Sequence, residues 1–271
     1  MSTTTPASTV LPLLRHAMRE SWRSLIGWSI GLVAALSLYL PLFPSIGGDS
    51  GIQDLIGNLP PELTAALSYQ NIFTGAGYTQ STFFGLMGFV LLSIAGISWG
   101  TAAIAGDEER GTLELTLAHG VSRTQVVLER SAAIVLRVAV LGLVTALTIL
   151  LLNGPGKLEL DAGNVFITVL AACGTTLLAA VMAIAVGSIT GRRSYALLGG
   201  AAVAVLGYAF NALGNQTKDL EWLKNFSPYA WAFRDEPLVN GWSFGIAALY
   251  LGVVVLVGVA LAAFNRRDVG R

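Results

Sequence analysis

Apolar residues fall along the chain in six long runs, and charged residues fall almost entirely between them. The runs cover roughly Leu25–Phe43, Phe83–Ala105, Ala132–Leu152, Val165–Ile189, Tyr195–Leu213 and Trp242–Phe264. A helix rises 1.5 Å per residue, so about 20 residues cross a hydrocarbon core ~30 Å thick. Lipid offers no partner to a peptide N–H or C=O, and a helix satisfies those groups within itself. The runs lack the period-two alternation of barrel strands. The pattern predicts an all-α membrane protein with six transmembrane helices, forming a single transmembrane domain over residues 1–271.

Shorter patterns lie outside the runs. Leu11, Leu14, Met18, Trp22 and Leu25 recur at three- and four-residue spacing, with Arg15, Arg19 and Arg23 on a neighbouring face. This predicts an N-terminal interfacial helix, with Arg15, Arg19, Trp22 and Arg23 at the lipid surface. The same spacing also fits a water-exposed end of the first spanning helix. The basic stretch and the long apolar run after it do not read as a cleaved signal peptide. Between spans, residues 44–82 and 214–241 form long loops and residues 153–164 a short one. Pro60-Pro61 followed by Leu63, Ala66, Leu67 and Ile72 suggests one short outer surface helix. Ser227 as N-cap with Pro228 at the first helical position suggests a second, whose aromatic residues suit a membrane interface.

Charge orients the array. Only 12% of residues are charged, against about 25% in an ordinary soluble domain. With six spans, both termini and the even-numbered loops share a side that carries 12 basic and 7 acidic residues. The other side carries 4 basic residues (Lys157, Lys218, Lys224 and Arg234) and 9 acidic ones. The positive-inside rule then places both termini in the cytoplasm. An odd number of spans would divide the arginine clusters between the two sides.

Several chemistries drop out. The single cysteine, Cys173, lies in the fourth run, and with His16 and His119 it makes no recognisable metal site. Gly154-Pro155-Gly156-Lys157 lacks the glycine and the Ser/Thr that a phosphate loop needs, with Leu151 and Leu158 in those places. Gly75-Ala76-Gly77 is followed by Gln80 where a dinucleotide fingerprint requires glycine. No catalytic constellation, cofactor-binding motif or metal site is expected in this chain. Five GxxxG pairs occur, Gly96/Gly100 among them, close to the roughly three or four expected by chance from 31 glycines. No Asp, Glu, Lys or His falls mid-membrane. Ion- and proton-coupled carriers usually need such groups as relays, so any uphill transport should draw its energy from outside the bilayer.

The strongest local pattern follows the second run: Glu108-Glu109-Arg110-Gly111-Thr112-Leu113-Glu114-Leu115-Thr116-Leu117-Ala118-His119-Gly120-Val121-Ser122-Arg123. Thr112 is placed to cap a short helix, and acids before it favour the positive helix N-terminus. Leu113, Leu115, Leu117 and Ala118 would give it apolar contacts, the make-up of a peg for a cytosolic partner. This segment resembles the signature of the ABC-type-2 permeases, the membrane subunits of bacterial ATP-binding-cassette exporters. The resemblance extends over the chain, from the N-terminal helix to Asn265-Arg266-Arg267-Asp268-Val269. Gly120 stands where the commonest family form has proline.

The resemblance implies a coupling helix between spans two and three that fits a cleft on a separate ATPase. Glu108, Glu109, Gly111, Thr112, Leu113, Glu114 and Arg123 would form that ATPase-coupling site. It implies a transport subunit without its own ATPase site, with ATP and magnesium held by the partner ATPase. A second permease copy or a paralogue would complete the pore, in a bacterial plasma membrane and with no nucleic acid involved. The apolar wall favours export of a hydrophobic or amphipathic substrate, such as an antibiotic, a drug-like compound or a lipid-linked molecule. The alternative is a non-transporting membrane scaffold or signalling subunit of a larger complex.

Overall fold

The computed structural model describes residues 11–47, 58 and 72–267. Every regular element among them is helical. A short helix, α1 (Pro12–Glu20), precedes the first span, α2 (Trp22–Ser45). The second span, α3 (Gly75–Glu109), leads through a turn into α4 (Thr112–Ala118). Then come α5 (Arg123–Asn153), α6 (Ala162–Thr190) and α7 (Arg193–Gly214), the third to fifth spans. A 3-10 segment Lys218–Phe226 and two short helices, α8 (Pro228–Phe233) and α9 (Pro237–Asn240), lead to the sixth span, α10 (Phe244–Arg266). Six helices long and apolar enough to cross a membrane are present, as expected.

The helices outrun the apolar runs. α3 has 35 residues and α5 has 31, well beyond the ~20 that lipid requires. Residues from Arg123 to Ser131 are helical although four of them are charged or amide-bearing, because hydrogen bonding along a helix does not stop where lipid does. Side-chain caps set the starts: Thr74 for α3, Ser122 for α5 and Asp161 for α6 each accept a backbone N–H three residues on.

α6 is the centre. It packs against α10, α7, α3 and α5, and 83% of its apolar window is buried, against 22% for α2 and for α10. Small residues allow these contacts. A side chain at Gly100 would fall on the carbonyl oxygen of Ala180, and one at Gly96 would lie 2.7 Å from the Thr176 methyl. Gly96/Gly100 is therefore a working close-packing pair, although its frequency alone does not distinguish it from chance. α3 also contains two π-helical stretches, Gln80–Met87 and Ala102–Gly106. The first of them lets adjacent Phe83 and Phe84 both turn into the core.

Two short helices differ from expectation. The N-terminal helix is broken at Ser21, whose φ of −90° and ψ of 1° leave the helical region and whose hydroxyl bonds the Ala17 carbonyl. Arg15 and Arg19 belong to α1, whereas Trp22 and Arg23 begin the first span. α8 starts as expected, with Ser227 capping Ala230 N–H and Pro228 at the first position. It is not a surface helix, however. Tyr229, Ala230, Ala232 and Phe233 are buried, and Tyr229 meets Phe89 and Tyr208 of α3 and α7 at 5.1 and 5.2 Å. Of the aromatic residues expected at an interface, Tyr229 and Phe233 instead fill the space between spans, while Trp231 is only partly buried. The 3-10 segment of this loop is exposed, with Trp222 and Phe226 outward. The surface helix expected after Pro60-Pro61 lies outside the described residues.

Candidate functional site

One end of the bundle gathers α1, α4, the start of α5, the α6–α7 turn and the end of α10. Arginines crowd this end, and the three acids that close α3 meet them one by one. Asp107 is buried and pairs with Arg110 at 2.6 Å and with Arg130 of α5. Glu108 pairs with Arg267, just beyond α10. Glu109 accepts the backbone N–H of Arg193 at 2.8 Å, filling one of the open donors at the start of α7. Arg123 reaches from α5 to the carbonyls of Phe264 and Arg267 at the end of α10. Charge-assisted bonds of this kind are stronger than neutral ones. Through them the root of α4 is tied to α5, α7 and α10.

Gly111, with φ of 71°, makes the left-handed turn that separates α3 from α4. It is also the N-cap of α4. Thr112 is already helical, and its hydroxyl donates to the Asp107 carbonyl at 3.0 Å, so the expected threonine cap does not form. Leu113 is fully buried in the core, and Leu117 packs partly against it. The opposite face carries Glu114, Leu115, Ala118 and His119, all exposed, with Leu115 at 64%.

α1 is docked on α5 at the same end. Leu14 N–H donates to buried Glu129 at 2.8 Å, and Arg137 donates to the Ala17 carbonyl at 2.7 Å. An acid near the helix start and a cation near its end both complement the helix dipole. At the far end of the bundle a cavity of about 510 Å³ opens between the start of α3, the end of α7 and the last loop. Gln80, Asn211, Asn215, Lys224 and Arg234 give it polar walls, and Tyr229 and Phe233 an aromatic one.

A model of the ABC-2 family transporter proteins matches residues 11–269. The chain belongs to this family. No curated protein matches it. As an ABC-2 family protein it is a multi-pass membrane subunit of the permease type, and the family implies an ATPase partner.

The residues of this ABC-2 protein singled out for coupling divide into two groups. Glu108, Glu109 and Arg123 are engaged within the chain, and Leu113 is turned inward. It therefore offers no apolar contact to a partner. Glu114 and Thr112 lie on the accessible side, with Gly111 in the turn beneath them. Five participants were not singled out from the sequence: Asp107, Arg110, Arg130, Arg193 and Arg267. The available signal was that every loop on this end carries an arginine beside a span, while α3 ends in three consecutive acids.

Proposed function

We propose that this chain is the permease subunit of an ATP-driven exporter and that a separate ATPase docks on α4. The observation carrying this reading is a short helix with one exposed acidic and apolar face and a root bonded to three other spans. A push on Glu114 and Leu115 would reach α5, α7 and α10 together. The basic end faces the cytoplasm in this reading, consistent with the arginine excess there. ATP and magnesium are held by the ATPase, and two permease chains enclose the path. The substrate is hydrophobic or amphipathic, an antibiotic, a drug-like compound or a lipid-linked molecule. The far-end cavity favours the amphipathic choice, since its volume suits a drug-sized molecule (about 300–1,000 Å³) and its walls are mixed.

The test is the double variant Glu114→Lys with Leu115→Ser, reconstituted with the ATPase. With the ATPase subsaturating, substrate-stimulated ATP hydrolysis should fall about tenfold, the change a loss of ~1.4 kcal/mol of docking energy produces. Thermal stability of the permease should stay unchanged, because both side chains are exposed. Unaltered stimulation would remove α4 as the docking element, and an ATPase that never responds to the permease would leave the scaffold reading.

A further inference from the structure

A small cavity of about 160 Å³ lies at the basic end, between the α1–α2 junction, α3 and α5. Its ionisable lining is Arg110, Arg130, Arg137, Asp107 and Glu20. Three guanidinium groups thus face two carboxylates. Asp107 is shared by Arg110 and Arg130. Arg137 forms no ion pair within 4.0 Å among the described residues and lies over the Trp99 ring at 5.6 Å. The Nε atoms of Arg130 and Arg137 are buried without a hydrogen-bond partner. The cavity is too small for a drug-sized molecule, which needs about 300 Å³ or more. It has room for one tetrahedral anion.

Depth along the membrane narrows the choice. At 1.5 Å per residue, about 24 Å of helix separates Arg137 from the far end of α5 at Asn153. A ~30 Å core measured from Asn153 ends about one turn beyond Arg137, so its guanidinium reaches back to the headgroup level. Basic pockets between spanning helices at this level suit anionic headgroups. We propose that the cavity binds a singly charged phosphodiester, which balances its one excess positive charge, and that the group belongs to an anionic phospholipid. The bound headgroup would join α1, α3 and α5 beside the root of α4. Assigning it to the cytoplasmic leaflet rests on the proposed orientation, whereas the binding itself does not.

Native mass spectrometry of the full chain in detergent tests this, with phosphatidylglycerol, phosphatidylcholine and sodium phosphate as separate additions. Phosphatidylglycerol should bind about fivefold more tightly than phosphatidylcholine, whose choline is repelled by the guanidinium groups. Arg137→Gln should remove that preference and Arg137→Lys should keep it. Ala102→Leu, which fills the cavity and leaves every charge in place, should also remove it and covers the case in which Arg137→Gln does not fold. Displacement of phosphatidylglycerol by millimolar sodium phosphate in the wild type, absent in Arg137→Gln, would support the anion site and assign it to a soluble phosphate. Equal binding of both lipids, or a preference that survives both Arg137→Gln and Ala102→Leu, overturns the proposal.

Discussion

Asp107 is buried and holds two arginines, Arg130 largely enclosed with it and Arg110 more than half exposed. Breaking a buried pair by removing one partner is strongly destabilising, because the remaining charge is left without compensation. Asp107→Asn should therefore lower unfolding stability by about 3 kcal/mol, read as a fall in melting temperature in detergent, more than any exposed-charge change on α4. The acids of this segment illustrate what a sequence reveals. Their type and order are visible, and so is the short helix after them. Their partners are not, since Arg193 and Arg267 lie far along the chain and no local spacing points to them. Leu113 and Leu115 show the same limit. Two positions apart on a short helix, they face opposite ways, and which one meets the core depends on where α3 delivers the turn at Gly111.

At the scale of elements, the six spans were legible because apolarity and length are local properties. Their true ends were not, because a helix stops at a cap or a turn and not at the edge of lipid. The burial of α8 was hidden for another reason: Tyr229 and Phe233 would serve equally well at an interface or, as here, against Phe89 and Tyr208 for the one and Phe84 for the other, and only the packing of α3 and α7 decides. The α3–α6 contact gives the second test at this scale. Gly100→Leu would push a side chain into the Ala180 backbone, and overpacking of this kind costs about 1–3 kcal/mol or more. The variant should insert in the membrane yet lose thermal stability, while the same substitution at Gly27, where nothing lies within 4 Å, should be nearly silent.

For the molecule as a whole, the structure puts α1, α4, the α6–α7 turn and the end of α10 at one end, the arrangement an even number of spans requires. Single cysteines at Lys157 and Lys218 should react with an impermeant thiol reagent in intact cells, and one at Ser194 should not; all three positions are exposed. Labelling at Ser194 without Lys157 would invert the proposed orientation. The acidic residues within the described spans, Asp107, Glu108, Glu109 and Glu129, all cluster at the basic end, so no carboxylate relay crosses the bundle. In proteoliposomes with the ATPase, transport should require ATP and magnesium and persist when an uncoupler collapses the proton gradient. Loss of transport under saturating ATP would refute that energy source.

The position of α6 also bears on how the protein is made. Chains are synthesised from the N-terminus, so α6 emerges before α7 and α10, the two helices that cover much of it in the finished fold. Until they arrive, its flank toward them has only lipid to meet. A helix surrounded by protein could carry hydroxyls and amides in many places, and α6 does hold Thr168, Thr175, Thr176 and Ser188 inside the bundle, three of the four hydroxyls turned back on its own carbonyls or capped there. Yet the mean hydropathy of its most apolar 18-residue window stays at 2.3, close to the 2.6 of the window in α10, of which only 22% is buried. The apolarity of the most enclosed helix is thus a requirement of its passage from the insertion machinery into the bilayer, met once during biogenesis and then hidden for the lifetime of the protein.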